Sequence, residues 1–171
     1  ASDVIRDSYQ VSKSILESKK HSYSEKPLSI EFDDGKKLNE IAKNNDVYVG
    51  CAPDTFLGAG IQTARKLIDE DTIGKVQLGS ISMAVPGHEI WHPNPDFYYQ
   101  YGGGPILDMG PYYFTALVNL LGPVVNVDSK IKAVYEKRVI GSGDRKGQEV
   151  KVDIPTSCLL YTSPSPRDVE E

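Results

Sequence analysis

Asp108 and Tyr112 stand four residues apart in GGGPILDMGPYY, residues 102–113, a spacing that puts two side chains on one face of a helix. A carboxylate and a phenol so placed can position and move a proton. The three glycines before them let the backbone turn with positive φ or pass close to a ligand. Tyrosine ionises at a pH of about 10, and a neighbouring anion raises that value, so the pair needs a cation to become a useful base. The segment SEKPLS supplies one in Lys26, just before a proline. Lys26, Asp108 and Tyr112 gathered around a hydroxyl would relay its proton while hydride leaves the same carbon.

Each residue also has a plainer reading. Asp108 can cap a helix, Tyr112 can be a packed aromatic with a bonded hydroxyl, and Lys26 can be a solvated loop residue. In HEIWH, His88 and His92 are four apart. The prolines of HPNP argue against the helix that would make them a metal pair, and no cysteine or further histidine joins them, so no metal site is expected. Trp91 either lines a substrate pocket or packs.

The elements that must position these groups read as follows. Residues 10–19 form a short amphipathic helix with Val11, Ile15 and Leu16 on one side. HSYSEKPLSI is extended, because the residue before a proline is pushed out of the helical region. A second helix begins near Asp33 or Asp34, carries Leu38, Ile41 and Ala42 inward, and gives way to the strand DVYVGCAP. This order matches the later part of a doubly wound α/β domain. GIQTARKLIDE is a third helix with Ile61, Ala64, Leu67 and Ile68 inward, stopped near Gly74. VQLGSISMAVPG reads as a longer strand, and HEIWHPNPDFYYQYGGG as an irregular loop. PYYFTALVNLLGP is a fourth helix, with Pro111 in its first turn, Gly122 as its stop, and Tyr113, Leu117, Leu120 and Leu121 as its buried stripe. VVNVDSKIKAVYEKRVI and QEVKVDIP read as strands joined by the turn GSGDRKG. The expected fold class is therefore α/β: residues 1–53 from a Rossmann-type domain, then an α+β open-sheet unit over residues 54–157.

Composition sets outer limits. With 39% hydrophobic and 25% charged residues the chain is an ordinary globular one. A net charge of −5 with no basic stripe gives no reason to expect nucleic acid or an anionic membrane as partner. No apolar run is long enough to span a bilayer. Cys51 and Cys158 have neither metal nor redox spacing, which leaves a reducing, cytoplasmic setting as the default.

Taken in order, EKP, a helix and strand ending in GCAP, IDEDTIGKV, and GGGPILDMGPYY make the chain resemble the Gfo/Idh/MocA family of oxidoreductases over residues 9–157. The resemblance implies an N-terminal Rossmann domain that binds NAD or NADP and a C-terminal open sheet that holds a sugar or polyol and forms homo-oligomers. It implies that Lys26 lies beside the nicotinamide and the reacting hydroxyl, in a loop shaped by Glu25 and Pro27. Asp108 matches the family's aspartate, and Tyr112 stands where most members carry a histidine, as in the members that use tyrosine. Thr115 replaces a second acid. His88, Trp91, His92 and Thr115 are the expected substrate contacts.

Two departures accompany the match. No GxGxxG fingerprint and no acidic ribose-binding residue occur, so the main cofactor loop is expected upstream of Ala1, and the chain is expected to be an inactive fragment of a dehydrogenase. Residues 158–168, CLLYTSPSPRD, match the translation of a transposase-type sequencing adapter, so residues 158–171 are expected to be a non-native tail without a packing pattern. Two other functions fit the same residues: NAD-dependent glycoside hydrolysis, and a non-catalytic regulator that binds a sugar or nucleotide.

Overall fold

The computed structural model describes residues 2–162. The chain opens with helix α1 (Ser2–Glu17), strand β1 (Ser22–Ser24), helix α2 (Phe32–Asn44) and strand β2 (Val49–Cys51). β1 and β2 run parallel, with Ser22 opposite Val49 and Ser24 opposite Cys51. Parallel neighbours cannot be joined by a tight turn, and α2 is the crossover. Its expected stripe is buried: Leu38 and Ala42 meet Leu16 of α1, with Ile41, Val47 and Val49 packed around them. α1 begins well before the expected residue 10, and Val11 is exposed rather than inward, while Ser12 takes the buried position. A serine fits there because its small side chain lets α1 lie close to its neighbours.

A 3₁₀ turn (Thr55–Leu57) leads into α3 (Ala59–Asp69). The face carrying Ile61, Ala64 and Ile68 is only half-buried, and Leu67 is exposed. Residues 76–87 do not form the expected strand. The segment passes over α6 (Gly110–Leu121), where a Cβ at Gly79 would lie 2.8 Å from Leu121. Among the described residues no strand pairs with it, so its β-prone sequence has no ladder to join. Arg65 of α3 clamps the far end of α6, donating to the carbonyls of Asn119 at 3.1 Å and Leu120 at 2.5 Å. A guanidinium suits that place, because the last carbonyls of a helix lack intrahelical donors. Along α6 the stripe Tyr113, Leu117, Leu120 and Leu121 is half-buried, and the fully buried side chain is Ala116.

The stretch expected as an irregular loop is more ordered. It holds a 3₁₀ turn (His88–Ile90) and two short helices, α4 (Asp96–Tyr99) and α5 (Gly104–Asp108). The second core lies here: Tyr98 and Tyr99 of α4 pack on Ile140, Val150 and Val152. Burying each aliphatic side chain of this set contributes roughly 1.5–3 kcal/mol. The expected strand over residues 124–140 is divided into β3 (Val127–Lys132) and β4 (Lys137–Val139). β4 pairs antiparallel with β5 (Glu149–Lys151) through the expected glycine turn, where Gly143 and Gly147 have positive φ. Arg145 in that turn forms an ion pair with Asp96 at the start of α4.

The remaining strand corrects one expectation. Ser157–Thr162 forms β6, antiparallel to β3 from Val127 opposite Thr162 to Lys132 opposite Ser157. Cys158, Leu159 and Leu160 take part in this pairing, although Leu159 stays exposed. The rest of the adapter-like stretch, residues 163–168, lies outside the described residues. The described residues form three two-stranded sheets, β1–β2 in the α/β part and β3–β6 and β4–β5 in the unit that follows. None of their helices is long and apolar enough to cross a membrane.

Candidate active site

Lys26 lies two residues beyond the end of β1, and the Lys26–Pro27 peptide is cis. Glu25 turns back to accept a hydrogen bond from the Lys26 amide at 3.3 Å. The lysine side chain is 14% exposed, and its Nζ donates to both the main-chain carbonyl of Asp108 at 2.6 Å and the carboxylate Oδ1 at 2.5 Å. The plain reading of Lys26 as a solvated residue therefore fails. A lysine gives up its hydration only where other acceptors replace it, and here one residue supplies two, a carboxylate and a main-chain carbonyl.

Asp108 is the last residue of α5, and Met109 separates it from α6. Pro111 explains the break: proline has no N–H to donate, and it restricts the residue before it. Asp108 and Tyr112 thus belong to two successive short helices rather than one. Lys26 still joins them, because its Nζ stands 5.5 Å from the centre of the Tyr112 ring. Such a cation over an aromatic face contributes about 0.5–1 kcal/mol where solvent reaches it.

The glycines ahead of Asp108 answer to the protein itself. Gly102 and Gly104 have φ of +87° and +88°, a conformation that side chains rarely adopt. At Gly103 a Cβ would lie 2.2 Å from the carbonyl oxygen of Phe97. The run therefore seats α5 tightly against α4 and delivers Asp108 to Lys26.

His88 completes the cluster. Its Nε2 lies 3.9 Å from Asp108 Oδ2, and the side chain is 17% exposed. The imidazole stacks on Tyr98 with ring centres 3.8 Å apart and planes at 17°, and Trp91 leans on it at 4.9 Å. Burial pulls the His88 pKa below its ordinary value, against the pull of Asp108 in the other direction. Burial, with the Asp108 charge adding to it, pushes the Tyr98 phenol up to about 12, so that hydroxyl stays protonated.

The other expected contacts stand further out. Trp91 is largely exposed, and His92 packs on Trp91 and Phe97 while its Nδ1 accepts the Asn94 amide at 3.1 Å. His92 thereby holds the loop in shape. Thr115 is half-buried on α6, and nothing among the described residues links it to the Lys26–Asp108 pair. No group of three or more His, Cys, Asp or Glu side chains able to hold a metal occurs among the described residues.

Beside the site lies a buried network that sequence reasoning missed. Glu89, next to His88, is 4% exposed; its Oε2 accepts from the Tyr99 hydroxyl and its Oε1 from Arg138 Nη1 at 2.7 Å. Burial pushes the Glu89 carboxyl up, but the hydrogen bonds from Tyr99 and Arg138 outweigh it and hold the group below its usual range. Arg138 also donates to the Pro86 carbonyl at 2.8 Å and lies over the Tyr135 ring. The 3₁₀ turn carrying His88 is thus anchored by its next residue. The one available signal was an acid among aromatics, with an arginine some fifty positions on, too diffuse to read without the fold.

Comparison with known proteins agrees with this architecture. Residues 61–164 match the model of the GFO/IDH/MocA C-terminal domain. Among curated proteins, the chain is 29% identical over 153 residues to dTDP-3,4-didehydro-2,6-dideoxy-alpha-D-glucose 3-reductase of Saccharopolyspora spinosa, covering 86% of this chain and 40% of the relative. It is 25% identical over 137 residues to D-xylose dehydrogenase of Paenarthrobacter nicotinovorans, covering 77% of this chain and 34% of that one. The chain thus spans well under half the length of these relatives. Among solved structures, an NAD binding oxidoreductase from Klebsiella pneumoniae superposes with a TM-score of 0.73 at 17% identity, over 92% of this chain and 42% of its own. Levoglucosan dehydrogenase in complex with NADH and L-sorbose gives 0.71 at 18% identity, over 91% and 42%. These two likenesses concern the fold. With a family model covering more than half of its residues, the chain belongs to the GFO/IDH/MocA family.

Proposed function

We propose that this chain is part of an oxidoreductase that transfers hydride between NAD or NADP and a hydroxyl-bearing carbon of a sugar, cyclitol or related polyol. The observation that carries the reading is the Lys26 ammonium held on the Asp108 carboxylate and facing the Tyr112 ring. A merely structural ion pair has no need of a phenol alongside, whereas a hydroxyl about to lose a proton needs a cation, an anion and a proton acceptor together. The printed names of the two curated relatives, a nucleotide-sugar reductase and a xylose dehydrogenase, support a sugar carbon as the reacting centre.

The residues present fit the nicotinamide end of the cofactor. Lys26 and Ala52 follow the carboxyl ends of two parallel strands, the edge where doubly wound sheets bind ligands. The Gly-rich phosphate loop is absent from this sequence. When bound, the nicotinamide supplies the hydride acceptor or donor. Lys26 orients the substrate hydroxyl and favours its deprotonation, Asp108 fixes Lys26, and Tyr112 takes or returns the proton. Glu25 and Pro27 set the lysine loop, while Trp91, His92 and Thr115 stand as outer substrate contacts. Self-association belongs to the same proposal and is supported by the exposed apolar residues Val127 and Ile131 on β3.

The test is a screen of the protein expressed at the full length of its gene, with both dinucleotides and a panel of sugars and polyols, following reduced nicotinamide by absorbance. Lys26→Met and Tyr112→Phe should each lower kcat by about 10²–10⁴-fold while cofactor affinity stays unchanged. Cofactor binding without reduction by any substrate would overturn the reading. Aglycone release without net reduction would point to glycoside hydrolysis instead.

A further inference from the structure

An ammonium group has three N–H donors, and Lys26 commits two of them to Asp108, one to the main-chain carbonyl and one to Oδ1. The third is left for a ligand. Oδ2 of the same carboxylate faces His88 Nε2 at 3.9 Å. That separation is too long for a hydrogen bond, yet it admits one oxygen between the two groups, about 2.8 Å from each. The imidazole is held back from closing the gap. It lies flat on Tyr98, Trp91 leans on it, and Glu89 in the same turn is tied to Tyr99 and Arg138. Its side chain is 17% exposed, and neither ring nitrogen makes a hydrogen bond among the described residues. A polar group so far out of water calls for a partner, and the carboxylate opposite calls for the same one.

We propose that His88 Nε2 and Asp108 Oδ2 together hold the substrate hydroxyl next to the reacting one, which makes the substrate a vicinal diol. This rests on the oxidoreductase reading above and narrows its substrate class. A hydroxyl suits the gap because it donates and accepts at once: its proton goes to Oδ2, and its oxygen accepts from Nε2–H. The reacting hydroxyl accepts the remaining N–H of Lys26. Lys26 and the shared hydroxyl are attached to the two oxygens of a single carboxylate, so the two substrate oxygens must be close neighbours. Hydroxyls on adjacent ring carbons are that close when gauche. Those on alternate carbons are so only when both are axial and crowded. His88 is then a specificity-determining contact with no part in proton transfer, and Tyr98 is the positioning residue that fixes its ring plane.

Two measurements on the gene-length protein test this, with both isomers of cyclohexane-1,2-diol and with trans-cyclohexane-1,3-diol, whose hydroxyls cannot come together. The first is kcat/KM for oxidation. The wild type should favour the 1,2-diols by about 10²-fold, because a site built to bond a hydroxyl rejects a ligand that lacks it. His88→Phe can still stack on Tyr98 but has no ring nitrogen. It should lose activity on the 1,2-diols alone and bring the two classes within about threefold of each other. A preference that survives the substitution would overturn the proposal, as would a fall shared equally by all the diols. The second measurement needs no turnover: the His88 ring nitrogens are followed by NMR as each diol is added. A saturable shift with a 1,2-diol and none with the 1,3-diol is expected, and nitrogens that ignore the 1,2-diols would overturn the subsite. If no alcohol is oxidised but the shift appears, the oxidoreductase reading fails while the subsite stands. Oxidation of all the diols with equal efficiency and no shift keeps the reading and removes the subsite.

Discussion

Two carboxylates sit close together in this fold and are treated in opposite ways. Glu89 is sealed: one oxygen accepts from Tyr99, the other from Arg138, and 4% of the residue is exposed. Asp108 is left open: one oxygen holds Lys26, the other faces an unbonded imidazole, and 31% of its side chain meets solvent. A carboxylate with both oxygens bonded to protein donors and almost no exposed surface has little to offer a ligand, however perturbed its environment. One with an oxygen to spare has more. His88 and Glu89 are consecutive, so a single 3₁₀ turn presents one side chain to the site and commits the other to the core.

The largest expected effect comes from breaking the sealed member. Glu89→Ala leaves the Arg138 guanidinium partly buried without its acid, and a loss of about 3–5 kcal/mol is expected in urea denaturation of the gene-length protein. The contrast sharpens with Lys26→Met. Asp108 remains about a third exposed and can turn to water, so the stability change should be about 1 kcal/mol or less, although the same variant should abolish most turnover. Equal stability losses in the two variants would erase the distinction. The smallest effect is a slope. Because burial holds the folded pKa of His88 below its ordinary value of 6.5, the unfolded chain binds a proton there that the folded chain refuses. Stability should then fall as pH drops through 6.5 toward the folded value, and His88→Gln should flatten that stretch of the curve. A slope that survives the substitution belongs to another group.

How much could be read beforehand depended on how local the signal was. The crossover helix announced itself through Leu38, Ile41 and Ala42, because a helical stripe needs only its own residues to be visible. The glycine turn before β5 was legible for the same reason. Residues 76–87 misled, since β-branched composition says what a strand would like and not whether a partner is present. Tyr98 and Tyr99 were hidden inside a proline-rich stretch: four residues of helix carry no period, yet they form the centre of the second core. At the site, residue types and spacing, joined by the resemblance to the family, singled out Lys26, Asp108 and Tyr112. The order of contacts was beyond it: that Lys26 binds Asp108 directly, that Tyr112 meets the lysine through its ring, and that His88 rather than His92 turns toward the acid. Those choices are made by the break at Met109 and by the anchoring of Glu89, neither of which has a sequence period.

The span between Lys26 and Asp108 has a consequence for how the molecule assembles. Their contact bridges 82 positions of chain, whereas Tyr99 and Glu89 are only 10 apart. Closing the longer loop costs more chain entropy before any contact is gained, and long-range contacts tend to set the pace of folding. The tyrosine core is therefore expected to condense early and the lysine–aspartate pair late. Mutational φ-values should run high at Tyr99 and near zero at Lys26. A nascent chain would then carry its tyrosine core well before the Lys26 ammonium and the Asp108 carboxylate meet in the last closure.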